Sequence, residues 1–569
     1  MDYAEYAADF ETNTTAEGVA KNPVWAWGLC LVGNNESFIY GVSIERFIDT
    51  ILNLNKARIW FHNLAFDGKF IIDYLLRHDF RHVDQINDNK QLTTVIDDMG
   101  RFYSITFRAM DKEVVFADSF KKVTMSLAAA ANTYHLDMTK GEIDYGTYRP
   151  VGHELTSQEL DYLRRDVCIL AQVLEQRLKM GAKLTTSADC LAAYKDLLDS
   201  KKFDKLFPRL PKRADHDIRK SYKGGYVYVN PIHQNKTYIK DGVSLDVNSM
   251  YPYQMRYKPY PYGVPEFVMD EKELGGLYVA CIEYTATLKP GGLPCIQIKD
   301  SPLFNPREYQ RVIKEPLIGW FTSVDLQLMR DMYDLNIIDF LGAYKFNSQY
   351  GLFDDYIDIN NYNKTHATNP GERFQAKLRN NSLYGKFGQK IEGSKKIPVL
   401  RDDDIVHYEL VEGDERDPVY IPIATFVTAY ARDYLIRTAV KFGDNYIYSD
   451  TDSIKAFGDV PEWLETDPKK LGYFDCEYRF KKCRFIRPKT YAVQLENGEY
   501  TYTCAGMPQG LKNVMSFDDF KIGFTNDLKL IKDINSIDKK YLSKECYKLV
   551  PKLVKSGVIL EERPFTIRR

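Results

Sequence analysis

Seven carboxylates in this sequence have the chemistry and the spacing to hold divalent cations against phosphate, and they fall into two sets. The first comprises Asp9 and Glu11 in Asp9-Phe10-Glu11-Thr12, Asp67 in the segment from Trp60 to Gly68, and Asp166 in Tyr162-Leu163-Arg164-Arg165-Asp166. The second comprises Asp246, which ends the run Val243-Ser244-Leu245, and Asp450 with Asp452 in Tyr448-Ser449-Asp450-Thr451-Asp452-Ser453. A hard cation such as Mg²⁺ takes oxygen ligands, usually one or two carboxylates completed by water and substrate phosphate. Two such ions about 3.5–4 Å apart drive phosphoryl transfer by stabilising the attacking and leaving oxygens. Read as an extended strand, Asp450 and Asp452 point to one face about 7 Å apart, with Thr451 on the other. Asp-Thr-Asp also makes a good polar turn.

Other elements must position these groups. Tyr162 and Asp166 are i and i+4 on a helix that starts near Thr156-Ser157-Gln158-Glu159, a capping pattern. An apolar helix resumes at Phe70, after Asp67-Gly68. Lys140 could stabilise developing charge; its plain alternative is a solvated loop lysine. In Lys220 to Val229 the aromatic and basic residues flank Gly224-Gly225, suited to a single strand or to an ordinary turn. Gly371 to Gly388 reads as a helix with Arg373, Lys377, Asn381 and Tyr384 on one face, suited to a triphosphate and a base or to solvent. Lys396–Leu400 and Ile405–Leu410 bracket Arg401 to Asp404 as a protruding hairpin. Lys481 to Tyr491 is the densest basic run, a natural duplex-phosphate strand. Asp538 to Lys555 reads as a lysine-rich helix followed by a β-like pair around Ser556-Gly557. His78 and His82 have zinc-ligand spacing but no third ligand beside them.

With 569 residues, 44% hydrophobic and 27% charged, the chain is globular and long enough for about four domains. A net charge of -2 argues against a uniformly basic nucleic-acid binder, though local patches decide such binding. Nine scattered cysteines without a Cys-x-x-Cys pair fit free thiols in a reducing cytosol. Glu5, Asp9 and Glu11 interrupt any leader, and the longest apolar window, Val24 to Val32, is about half a membrane span. The chain is expected to be soluble and unexported.

The order of motifs is more specific than any one of them. Asp-Phe-Glu-Thr, His-Asn-x-x-Phe-Asp, Tyr-x-x-x-Asp, Tyr-x-Gly-Gly, Asp-x-Asn-Ser-x-Tyr-Pro, Lys-x-x-x-Asn-Ser-Leu-Tyr-Gly, Tyr-x-Asp-Thr-Asp-Ser and Lys-x-Tyr follow one another along the whole chain. The series resembles the protein-primed family B DNA polymerases of small tailed phages. The sequence departs from that pattern at Met250 and Phe120, where leucine is usual. Lys364 aligns after a one-residue insertion, and residues 524–555 match poorly.

The resemblance implies an α/β multidomain fold, with a ribonuclease-H-like 3′–5′ exonuclease and a right-hand polymerase. The implied segments are 1–187 exonuclease, 188–257 and 421–523 palm, 258–352 an insertion docking the priming protein, 353–388 fingers, 389–420 a strand-displacement hairpin, and 524–569 thumb. It implies exonuclease roles for Asp9, Glu11, Asp67, Lys140, Tyr162 and Asp166, and single-strand ligands at Thr12, His62, Asn63, Phe66, Ser119 and Phe120. Asp246, the Val247 carbonyl and Asp452 match polymerase metal ligands, with Asp450 beside them. Tyr251, Lys364, Lys377, Asn381 and Tyr384 match nucleotide contacts. Tyr222, Gly224, Gly225, Ser249, Gly385, Lys489 and Tyr491 match DNA contacts.

The implied cofactor is Mg²⁺, with Mn²⁺ able to substitute. The implied partners are primer-template and single-stranded DNA, deoxynucleoside triphosphates and a terminal protein; no membrane is involved, and a monomer acts in the host bacterial cytoplasm. A mobile-element polymerase that starts unaided, a stand-alone exonuclease and a non-catalytic DNA-binding protein are the alternatives.

Overall fold

The computed structural model describes residues 3–13, 23–141, 143–144, 147–299, 303–413 and 415–568. An eight-stranded N-terminal sheet has at its centre Val24–Leu31, Ala4–Thr12, Ala57–Phe61 and Lys112–Asp118, in that order. Every residue of Ala57–Phe61 is buried, as in a strand covered on both faces. On one face lies the helix Ser157–Leu178, whose Leu163, Val167 and Leu170 pack with Ala7, Ala26 and Trp60. On the other lie Ile44–Leu52 and Leu64–Arg77, through Phe47, Ile51, Ile71 and Leu75. Ala4–Thr12 and Ala57–Phe61 run parallel, so their C-terminal ends open on the same edge. Asp9 and Glu11 come from one end and the segment from His62 to Asp67 from the other.

A second sheet runs in the order Tyr500–Cys504, Thr490–Leu495, Phe474–Arg487, Thr237–Val247, Ser453–Phe457, Tyr446–Asp450, Val227–Val229. Its strands alternate. Val243, Leu245, Val247, Ile454 and Ala456 pack against Leu435, Ile436 and Ala439 of the helix Pro422–Val440. Period-2 geometry therefore turns Ser244, Asp246, Ser453 and Lys455 to the opposite face. A four-stranded sheet (Tyr260–Val268, Tyr333–Gln349, Leu277–Leu288, Val312–Thr322) adjoins it. The helices Asp354–Thr365 and Pro370–Phe387 pack against each other and against the helix Met250–Tyr257.

The structure departs from the sequence reading in four places. Asp450 and Asp452 do not share a strand: Tyr446–Asp450 and Ser453–Phe457 are antiparallel neighbours joined by Thr451-Asp452, with Thr451 at φ 62°. The turn alternative was the right one for the backbone. The helix expected from Phe70 begins at Leu64 and so contains Asp67. The helix carrying Lys377 starts at Pro370, because Asn369 accepts from Glu372 N as an N-cap. The lysine-rich helix of 538–555 does not form. Short turns at Lys539–Leu542 and Lys544–Cys546 lead into the strand Lys548–Val554, paired with Gly557–Arg563. Pro551 would break a helix interior, and the β-branched Val550 and Val554 favour the strand.

The hairpin expected around Arg401 to Asp404 is present as Lys395–Leu400 and Val406–Val411. Its Leu400, Val406 and Tyr408 pack into the N-terminal core. At its tip Arg77 reaches Asp404 Oδ1 at 2.5 Å, and Ser556 N donates to Asp404 O at 3.3 Å. Lys69 Nζ donates to Pro551 O at 2.7 Å, so the N-terminal unit, this hairpin and the C-terminal hairpin meet in one place. One apolar cluster joins Ile486, Tyr502 and Phe520 to Phe524, Tyr541 and Ile567, so packing is continuous across residue 524. His78 stacks on Tyr74 at 3.9 Å, and His82 Nε2 lies 3.0 Å from Thr94 Oγ1; both are structural. All nine cysteines are free, and no helix among the described residues is long and apolar enough to cross a membrane.

Candidate active sites

The first acidic set converges at the open edge of the N-terminal sheet. A cavity of about 610 Å³ is lined by Asp9, His62, Asn63, Phe120, Lys140 and Asp166, with Ser126 and Leu127 at the start of the helix Leu127–Thr133. Glu11, Thr12 and Asp67 are buried behind it. Lys140 Nζ pairs with Asp166 Oδ2 at 3.0 Å, and the Tyr162 hydroxyl also bonds that carboxylate. His62 Nδ1 lies 3.1 Å from Ser119 Oγ and its ring 5.3 Å from Phe120; Phe66 is half-buried, 6.1 Å from Phe70.

Burial and the Asp166 carboxylate push Asp9 up to about 7. Burial and Asp9 push Glu11 and Asp67 well above the ordinary carboxylate range. Burial also raises Asp166, against the pull of Lys140. Asp67 Oδ1 and Asp166 Oδ1 are buried with no hydrogen-bond partner among the described residues. Crowded carboxylates with orphaned oxygens fit a cation, which would reverse the elevation.

The second set meets on the open face of the seven-stranded sheet. Asp246 pairs across from Ser453, and Val247 N donates to Asp452 O at 2.8 Å, which pins the two acidic segments together over 205 residues of sequence. A cavity of about 170 Å³ is lined by Asp246, Val247, Ser249, Tyr251, Lys377, Asn381, Tyr384 and Asp452. Burial, then Asp452 and Glu477, push Asp246 up to about 7; burial, then Asp450 and Glu477, push Asp452 up to about 6. Tyr251 and Tyr384 are 4.2 Å apart between ring centroids. Lys364 Nζ bonds Asn248 Oδ1 at 3.0 Å and Ser249 Oγ at 3.3 Å, directly beside the cavity. Arg373 is exposed and does not line it.

Asp450 turns away from Asp452. Lys489 Nζ bonds both its oxygens, at 2.6 and 2.8 Å, and the Tyr448 hydroxyl bonds it at 2.9 Å. Tyr491 stacks on Phe485 at 5.0 Å beside Tyr448. A methyl on Gly225 would stand 2.9 Å from Tyr251 Oη and 3.0 Å from Thr451 Cγ2, so only glycine lets the loop from Tyr222 lie this close. Gly224 and Gly385 face open space. Among the described residues no group of three or more His, Cys, Asp or Glu side chains is arranged to hold a metal ion by itself, so a cation here would need water and phosphate oxygens as further ligands.

Two positioning residues were not singled out from the sequence. Asp118 Oδ1 accepts from the backbone N–H groups of Asn63, Leu64 and Phe120, fixing Asn63 at φ 75° and the entry to the helix that carries Asp67. Glu477 is the extra residue where Ser244 pairs with Tyr478 but Leu245 with Cys476; at this bulge it accepts from Ser244 Oγ at 2.9 Å, and its charge acts on both Asp246 and Asp452. A bulge depends on its partner strand, so no local signal marks it.

The family model for DNA polymerase type B, organellar and viral, matches residues 48–150 and 141–459. The DNA polymerase of Bacillus phage Nf is 36% identical over 99% of both chains, and that of Bacillus phage phi29 is 35% identical over 99% of both. The DNA polymerase of Streptococcus phage Cp-1 is 31% identical over 99% of this chain and 98% of its own. The structure is similar to phi29 DNA polymerase complexed with primer-template DNA and incoming nucleotide (TM-score 0.88, 33% identity) and to the same enzyme complexed with single-stranded DNA (TM-score 0.89, 32% identity), each over 100% of both chains. The chain thus has a multidomain α/β polymerase fold, belongs to the type B DNA polymerases of organelles and viruses, and is a DNA-directed DNA polymerase that depends on divalent metal.

Proposed function

We propose that this chain replicates a linear phage genome as a protein-primed, strand-displacing and proofreading polymerase in the host bacterial cytoplasm, working as a monomer with a terminal protein. Residues 1–187 serve as exonuclease, 188–257 and 421–523 as palm, 258–352 as the priming-protein insertion, 353–388 as fingers, 389–420 as the displacement hairpin and 524–569 as thumb. The observation that carries the reading is the joining of Asp246 and Asp452 in one cavity with Lys377, Asn381 and Tyr384, while Asp9 and Asp166 line another.

In the polymerase cavity Asp246, Asp452 and the Val247 carbonyl would hold Mg²⁺, or Mn²⁺ in its place. Bound there, a pair of such ions supplies Lewis acidity to the attacking and leaving oxygens. Lys377 and Asn381 face the triphosphate from the helix Pro370–Phe387, and Lys364 reaches its edge, where it bonds the side chains of Asn248 and Ser249. Tyr251, held by Tyr384, closes the floor against a ribose 2′-hydroxyl. Asp450 orients Lys489, which with Tyr491 receives the primer end. Tyr222, Gly224, Gly225 and Gly385 border the DNA.

In the other cavity Asp9, Glu11, Asp67 and Asp166 would hold the metal, and Tyr162 and Lys140 would orient the attacking water and steady its developing charge. Thr12, His62, Asn63, Phe66, Ser119 and Phe120 receive the frayed strand. Asp452→Asn abolishes primer extension and spares degradation; Asp9→Ala with Asp67→Ala does the reverse. Loss of both activities in either folded variant would end the two-site reading. Labelled dATP attached covalently to a terminal protein tests the priming mode.

A further inference from the structure

A cavity of about 290 Å³ beside the Tyr222–Gly225 loop lies outside both sites described above and is lined by Lys220, Lys223, Gln297, Lys299, Trp320 and Phe321 among others. Lys223 is only 4% exposed. Its ammonium lies 4.3 Å from the Phe321 ring centroid and makes no hydrogen bond or ion pair among the described residues. Its neighbours are committed elsewhere: Lys220 pairs with Asp217 at 2.9 Å, Lys299 donates to Tyr222 O at 2.6 Å, and the nearby Asp325 is bonded by Arg432 at 2.7 Å. Asp325 offsets the Lys223 charge through space but accepts no hydrogen bond from it, so three ammonium groups face one cavity and the buried one keeps unmet donors, which an anion would satisfy. The indole of Trp320, half-buried, supplies a flat wall, and Lys220 lies 6.0 Å from its centroid.

We propose that this cavity binds a nucleotide unit, with its phosphate on Lys223 and Lys299 and its base against Trp320. Phosphate on lysine and base on an aromatic face is the combination that holds nucleotides without reading sequence. Occupancy would reach the polymerase cavity through very little structure. The carbonyls of Lys223 and Gly224 both accept from Arg432 Nη1 at 2.9 Å, and the next residue, Gly225, abuts Tyr251 and Thr451. The ligand can be a free nucleotide or one unit of a single strand, and the test separates the two.

Pyridoxal 5′-phosphate carries a phosphate, a planar ring and an aldehyde. The aldehyde condenses with a lysine amine with loss of water, and borohydride reduces the imine to a secondary amine that peptide mass mapping locates. The full-length protein is treated in EDTA near neutral pH. Burial lowers the Lys223 ammonium to about 8, so its free-amine fraction is about a hundredfold that of an ordinary lysine. Lys223 is expected to label at least about tenfold faster than exposed Lys240. Deoxyadenosine monophosphate or a short oligothymidylate should protect it at lower concentration than inorganic phosphate. Protection by the mononucleotide assigns a free nucleotide; protection by the oligomer alone assigns a strand. Labelling no faster than at Lys240, or protection by phosphate equal to that by both nucleotides, overturns the proposal. Trp320→Leu, checked for folding by circular dichroism, should keep Lys223 labelling and lose nucleotide protection; unchanged protection overturns the role of the indole.

Discussion

Replacing Arg432 by methionine should be the most damaging single change away from either acidic cluster. Arg432 is 2% exposed in the helix Pro422–Val440. It donates to the carbonyls of Lys223 and Gly224 and, through Nη2, to Asp325 Oδ1 at 2.7 Å. Burial pushes the Asp325 carboxyl up, but the Arg432 and Lys223 charges overcome that and hold it below the ordinary range. Methionine fills similar space and removes the charge. Breaking a buried pair while leaving its partner costs about 3–5 kcal/mol, and orphaned carbonyls add about 1 kcal/mol, for a loss of about 4–6 kcal/mol. A depressed folded pKa contributes stability above the unfolded value, about 3.9, that is lost as pH falls through the folded one. The gap between the native protein and Arg432→Met should therefore narrow in acid. Urea-denaturation midpoints from neutral pH to well below about 3.9 measure it. Asp325→Leu added to Arg432→Met should recover most of the loss, because the uncompensated carboxylate goes with it. A loss under about 1 kcal/mol, a gap that is constant with pH, or no recovery in the double variant would refute the reasoning. Gly225 follows the tethered loop, so primer extension should weaken while degradation persists.

Three further outcomes follow from the titrating carboxylates, one buried amide and one hairpin contact. In metal-free protein Asp9, Asp246 and Asp452 keep protons that the unfolded chain has released, so stability should fall as pH rises from about 4 towards their folded values of about 6–7. Melting curves in EDTA should show this slope and curves in Mg²⁺ should flatten it; parallel curves would contradict it. Asn380 is 1% exposed with neither amide atom bonded among the described residues, so Asn380→Leu should stabilise by about 1–3 kcal/mol, and a lower melting temperature would mean that the amide has a partner. Asp404→Ala frees the hairpin tip from Arg77, so synthesis through a downstream duplex should slow several-fold while extension on a single-stranded template is unchanged; equal slowing on both would count against the latch.

What could be read from the sequence was chemistry confined to short windows. Asp-Phe-Glu-Thr, Asp-x-Asn-Ser and Asp-Thr-Asp each carry their function in residue type, and the structure gathers them into two cavities. Tyr162 and Asp166 were legible because a helix imposes its own period, and the capping box at Thr156 marks where it begins. Asp-Thr-Asp shows where such reading stops. Its acidity was visible, but whether two carboxylates share a face depends on whether the chain continues or reverses, and that is decided by pairing with Ser453–Phe457. The reversal separates their duties, sending Asp452 to Asp246 and Asp450 to Lys489.

Residues that act through distant partners leave even less trace. Arg432 is one of two arginines in a largely apolar helix until its bonds to residues 208 and 209 positions away are known. Lys69 and Pro551 meet across 482 positions. The lysine-rich C-terminal segment failed for the same reason in reverse: its charge pattern suits a solvated helix, but Pro551 and the partner strand Gly557–Arg563 outweigh that pattern. Local chemistry therefore names the reaction class, whereas the geometry that keeps the two acidic sets in separate cavities resides in long-range pairings such as Val247 N to Asp452 O, which no window of the sequence contains.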